Sequence, residues 1–243
     1  MSNYIIEKHS KTVIWINPDP NKLTGVETWG NFDPTQHEVV YALNYNPQIG
    51  DVFKADVEDG VAKEFVPTKV YNKTSGQERV LQSWEDQIDS ETETEDEPST
   101  DAAGIVIPNQ IYTKSGWILD FEKLKDLAIR TVNSICTWWI CNGFSSNALG
   151  SVHYYNSDRD DQINLLGLAS LETSEMLKCA ADSITKKEYV LHTSEQLKKV
   201  LMDGASRKKF LLHKVAELKT KISNTTTIAE LKEIDIDTGW DLK

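Results

Sequence analysis

Apolar and polar positions change their rhythm partway along the chain. Residues 12–16 (TVIWI), 37–43 (HEVVYAL) and 64–72 (EFVPTKVYN) are short runs rich in β-branched and aromatic side chains. They are separated by the turn-forming stretches NPDPNKLTG, NFDPT, NYNPQIGD and EDG. Such punctuation predicts a small sheet or partly open barrel over residues 1–80. All seven prolines lie within the first 108 residues, where turns and strand edges accept them and helix interiors do not. Val80, Trp84 and Ile88 recur every four residues and predict one short helix over 78–88 that closes the domain.

Beyond residue 117 the spacing becomes helical. Phe121, Leu124, Ala128, Val132, Ile135 and Trp139 recur at three and four residues behind Asp120, which is placed as an N-cap. A second helix is predicted from about Asp160 to Ala181. It offers Ile163, Leu166, Ser170, Met176 and Cys179 to a core, with Gly167 permitting a close helix contact. Residues 188–192 (EYVLH) read as a short strand, and Thr193 with Gln196 forms a capping box at the start of a long helix. Leu211, Val215, Leu218 and Ile222 make its apolar stripe, and a second box, Thr227 with Glu230, opens a last short helix. The predicted class is α+β: a small β-rich N-terminal domain (1–88), an acidic linker (89–116) and a mostly α-helical C-terminal domain (117–243) with one short strand or hairpin.

Charge sharpens this division. The formal charge is −12, but nine acids and no base fall between Glu85 and Asp101, and without that stretch the chain has 29 acids against 26 bases. The segment DSETETEDEPSTD has no large apolar residue and predicts a solvated linker. Ten Lys and Arg face four acids over residues 186–221, Lys208 and Lys209 among them. Docking of the acidic stretch, through Glu91, Glu93 and Glu95, onto this basic helix of the same or a neighbouring chain is one expectation. A solvated helix face is the simpler one. No basic groove for nucleic acid stands out, and no apolar run is long enough to insert in a membrane. The first twenty residues lack the uninterrupted apolar stretch of a signal peptide, and three cysteines in the second half suit a reducing compartment.

Candidate chemistry is sparse. No phosphate-cradling glycine loop, His-Glu-x-x-His or Gly-x-Ser-x-Gly occurs. The fragment HYYNSDRDD (153–161) crowds His153 with carboxylates, but Ser157, Asp158, Asp160 and Asp161 also suit a helix entry. Cys136, Cys141, His153, Cys179 and His192 suffice in number for zinc. The two sulfurs of Cys136 and Cys141 lie about 140° apart on a continuous helix, so buried thiols acting as small apolar groups are expected, with no metal and no cofactor. Trp138 and Trp139 lie about 100° apart around one helix, so one of them is a candidate for contact with another domain or chain. The aromatics Trp15, Trp29, Tyr41, Tyr45 and Tyr71 are expected to pack, with stacking on sugars as the alternative.

The second half, roughly residues 117–240, resembles the C-terminal domain of unknown function 4376 found in tailed-bacteriophage tail and tail-fibre proteins. The likeness rests on Gly143-Phe144, Tyr155 to Asp158, Asp161-Gln162 with Asn164, Leu191 to Leu197, and Ala229 to Ile234. It implies a virion tail or tail-fibre role, with the chain made in the bacterial host cytoplasm, and supplies no catalytic residue. The functional expectation is therefore a non-enzymatic structural component of a phage tail. It would link or decorate the baseplate and fibre region through protein contacts, in a homo- or hetero-oligomer with other tail, baseplate or tail-fibre proteins. A tail-fibre assembly chaperone and a carbohydrate-binding accessory of the fibre are the alternatives. Glu91, Glu93, Glu95, Trp138, Trp139, Lys208 and Lys209 are the candidate partner-binding residues.

Overall fold

A computed structural model describes residues 2–19, 21 and 25–241. Two compact units divide the chain, residues 1–119 and 120–243.

The first unit is built on a five-stranded sheet. Strands β1 (Ser2–Glu7), β2 (Val13–Asn17) and β3 (His37–Ala42) pair antiparallel in the order β2-β1-β3. A single helical turn, α1 (Gly25–Thr28), precedes β3. The two-residue strands β4 (Val57–Glu58) and β5 (Val61–Ala62) extend the sheet, β5 lying parallel to β3. Because β1 is central, Tyr4, Ile5 and Ile6 are all buried although they point alternately to opposite faces. Val13, Val40 and Ala42 complete one layer, and the loop after β3 returns Phe53 and Ala55 to cover it. That loop is stitched to β2 by backbone bonds from Val13 to Asp51 and from Gly50 to Val13, each 2.8 Å.

A second sheet, ordered β7-β6-β8, joins β6 (Thr68–Asn72), β7 (Glu78–Leu81) and β8 (Glu93–Thr94). The hairpin of β9 (Gln110–Thr113) and β10 (Gly116–Leu119) ends the unit. Pro67 stands just before β6, so the strand predicted from residue 64 begins only after it. The helix predicted over 78–88 is replaced by β7 and a turn. Arg79 and Val80 pair across to Val70 and Lys69, and Trp84 swings back to meet Phe65 edge-on at 5.3 Å.

In the second unit, α2 (Phe121–Cys141) starts behind Asp120, whose carboxylate accepts the Lys123 amide at 3.1 Å. The helix α4 (Ser194–Asn224) starts at the Thr193–Gln196 box, and α5 (Ile228–Lys232) at the Thr227–Glu230 box. Val132 and Cys136 of α2 meet Leu211, Val215, Leu218 and Ile222 of α4, and the fully buried Trp240 seals the end. Lys125 caps the far end of α4 by donating to the Ser223 and Thr225 carbonyls, where the helix dipole favours a cation.

The expectation of a mostly helical second half is overturned. Helix accounts for only 31% of the structure, and the chain is β-rich, with four sheets among the described residues. The second unit has a four-stranded antiparallel sheet ordered β11-β12-β13-β14, where one strand or hairpin was expected. Its strands are β11 (Phe144–Ser146), β12 (His153–Tyr155), β13 (Glu175–Ala180) and β14 (Glu188–His192). The helix expected to reach Ala181 stops much earlier: α3 spans Arg159–Ser170, and Glu172 then turns the chain at φ +57°. Met176 and Cys179, read as a helical face, lie instead on β13 and point to opposite faces of the sheet.

The acidic linker of the predicted class is also folded. Thr94 and Glu93 pair with Tyr71 and Asn72 of β6. Gln110 holds the Ser99 backbone at both its amide and its carbonyl, and Trp117 donates to the Asp96 carbonyl at 2.8 Å. The strand and the hydrogen-bonding side chains that hold the stretch come from outside it, which is why its own composition conceals the fold.

Candidate binding surfaces

The acidic candidates separate at once. Glu93 is only 13% exposed in its side chain and takes two bonds from Arg79, at 2.5 and 2.9 Å, while Asp86 takes a third at 2.6 Å. Hydrogen bonding from Arg79 and from the Asp89 amide lowers the Glu93 carboxyl from the ordinary 4.5 to about 2. Glu93 is therefore committed within its own unit. Glu91 and Glu95 remain exposed, so the three carboxylates do not act as one set.

Trp139 packs into the α2/α4 core and carries the Arg207 guanidinium over its ring at 5.4 Å. Trp138 points away, 56% exposed and edge-on to Trp139 at 5.0 Å, so of the pair it is Trp138 that faces outward. Lys208 donates to Gln162 of α3 at 2.9 Å, and Lys209 is exposed. Elsewhere on the basic helix Lys198 meets Glu172 at 3.0 Å, and Lys199 pairs with Asp203 one turn on.

The fragment around His153 serves the entry to α3. Asp158 and Asp161 bond each other's backbone amides reciprocally, and desolvation with the neighbouring Asp158 charge raises the Asp161 carboxyl. Ser157 donates to the Ile140 carbonyl and accepts the Gly143 amide at 2.9 Å, tying the end of α2 to β11. Gly143 has φ +86°, and an added Cβ would lie 2.6 Å from the Tyr155 carbonyl oxygen, so this turn needs glycine. Among the described residues no three His, Cys, Asp or Glu side chains gather as a metal group. Cys136 and Cys179 are buried and Cys141 is exposed. Desolvation raises both buried thiols.

Tyr155 and His192 were not paired by sequence reasoning. His192 Nδ1 lies 2.8 Å from the Val190 carbonyl, which can only accept, so Nδ1 carries the proton. In the neutral ring Nε2 is then an acceptor, and the Tyr155 hydroxyl donates to it at 2.9 Å. Both side chains are fully buried, so this bond fixes the sheet against the start of α4.

The surface that stands out is around α3. Only Leu165 and Ala169 of that helix are buried, whereas Ile163, Leu166 and the adjoining Leu171 are each 58% exposed. A cleft of about 430 Å³ opens between α3 and α4, and one of about 700 Å³ between α3 and strands β13 and β14. Ile163, Leu168, Leu171, Met176 and Tyr189 line the second. Cross-strand register sets Met176 opposite Leu191 and Lys178 opposite Tyr189, so these four share one sheet face. Tyr189 and Leu191 are each 61% exposed, and Lys178 lies over the Tyr189 ring at 4.9 Å. Exposed apolar side chains thus run from α3 onto the sheet. The sequence signal was present but misassigned, because Ile163, Leu166 and Met176 were expected to face a core. No protein-family model, curated protein or solved structure matches the chain. Among the described residues no helix is long and apolar enough to cross a membrane.

Proposed function

We propose that this chain is a structural component of a bacteriophage tail that works by attachment and makes or breaks no bond. The observation that carries the attachment part is the exposed apolar surface of Leu171, Met176, Tyr189 and Leu191, because contiguous apolar patches on a protein surface mark sites of association. Such side chains, spread over a helix end and a sheet face, suit a partner that buries them by shape. Trp138 offers a further aromatic anchor of the kind enriched at interfaces. The tail itself is drawn from the resemblance of residues 117–240 to the C-terminal domain of tail and tail-fibre proteins. Partners are accordingly other tail, baseplate or fibre proteins.

Quantitative mass spectrometry of purified particles tests the proposal. A structural component is recovered at a fixed ratio to the other tail proteins. Recovery from lysates alone, with none in finished particles, replaces this reading by that of an assembly chaperone.

A further inference from the structure

The cleft between α3 and α4 has a different chemistry from the surface beside it. Its walls are apolar, formed by Phe144, Ile163, Leu166 and Leu201, and its volume of about 430 Å³ falls within the roughly 300–1,000 Å³ of small-molecule sites. Three cations line it, Arg159, Arg207 and Lys208, and among the described residues no carboxylate does. Lys208 is engaged by Gln162. Arg207 is the unusual one. Its Nε is buried with no hydrogen-bond partner, and the guanidinium stands over the Trp139 ring and forms no ion pair among the described residues. Desolvation lowers its affinity for the proton, and the charge of Asp241 offsets only part of that effect.

A buried donor on a cation, left unpaired, carries a desolvation cost that an arriving anion recovers. Guanidinium presents its N–H groups in a planar fork that matches a carboxylate. Gly204 helps shape the floor, since it lets the Phe144 ring come against α4 where a Cβ would stand 2.8 Å from it. We propose that this cleft binds a small amphipathic carboxylate, its apolar body between Phe144, Ile163, Leu166 and Leu201 and its carboxylate on Arg207. A cleft of about 430 Å³ with its cation at one wall matches a free molecule of this class better than an extended protein segment. The inference is independent of the proposed tail role.

Isothermal titration of the full chain with decanoate, decanol and decyltrimethylammonium tests it. Decanoate is expected to bind at least tenfold more tightly than decanol, and the cationic amphiphile not at all. Arg207→Met keeps an unbranched apolar side chain of similar reach while removing the guanidinium, and should abolish the preference for decanoate while leaving decanol unchanged. Leu166→Asp, at an exposed position, should weaken both. Equal affinity for decanoate and decanol, decanoate binding that survives Arg207→Met, or no binding at all overturns the proposal. Tighter binding of acetyl-Leu-Leu-Leu with a free carboxylate than of decanoate overturns the small-molecule assignment and moves the site to a protein chain end.

Discussion

At the scale of single residues, two glycines on neighbouring helices illustrate how little a residue type says without its surroundings. Gly167 was expected to allow a close helix contact, yet a Cβ built there meets nothing within 4 Å. The close approach is at Gly204, against Phe144. Gly167→Ala should therefore stabilise the second unit by about 0.5–1 kcal/mol, from backbone entropy alone. Gly204→Ala should destabilise it by about 1–3 kcal/mol through overpacking. Urea titrations followed by circular dichroism separate the two signs. The buried Tyr155–His192 bond makes a third test, because Tyr155→Phe leaves the His192 Nε2 acceptor without a donor. A loss of about 1–3 kcal/mol is expected in the same titration, and a neutral effect would mean that the ring finds another partner.

The elements differ in how openly the sequence declares them. α2, β14, α4 and α5 were legible because each is announced by chemistry local to it: Asp120, the Thr193 and Thr227 boxes, and stripes such as Leu211, Val215, Leu218 and Ile222. β13 was not, because Met176 and Cys179 stand three residues apart, as Ile163 and Leu166 do, and read as a further turn of the same helix six residues beyond Ser170. Only the left-handed Glu172 and the pairing with β14 break that rhythm. β7 was hidden by the same coincidence in Val80, Trp84 and Ile88. The acidic stretch was misjudged for a different reason: what orders it lies elsewhere in the chain, in Arg79, in β6 and in Gln110. Arg207 was equally unreadable, since the ten basic residues of this 36-residue segment look alike until folding buries the Nε of one of them.

The acid response of the first unit follows from that ordering. Glu93 and Asp86 both have carboxyls held below their ordinary values by Arg79, so their protonation in the folded unit lags that in the unfolded chain. Their stabilising contribution is complete above about pH 5 and is lost as pH falls toward the folded Glu93 value of about 2. Arg79→Met should flatten the decline in stability of the first unit between pH 6 and pH 3, read by urea denaturation at each pH. An unchanged decline would assign the acid sensitivity to other carboxylates.

For the whole molecule, the account turns on the second unit carrying an attachment surface that its own fold leaves open. Leu171, Met176 and Leu191 are exposed enough that changing them should leave the fold intact, in contrast to buried Leu165 or Val200. An interface built on such anchors loses most of its binding energy when a few central ones are altered. Incorporation of the triple variant Leu171→Ser, Met176→Thr, Leu191→Thr into phage particles, which removes the apolar anchors without setting like charges opposite each other on β13 and β14, tests this most directly when measured beside its thermal unfolding. The account predicts a folded protein with an unchanged unfolding temperature that is missing from particles. A variant equally well folded and recovered at the wild-type ratio would contradict it.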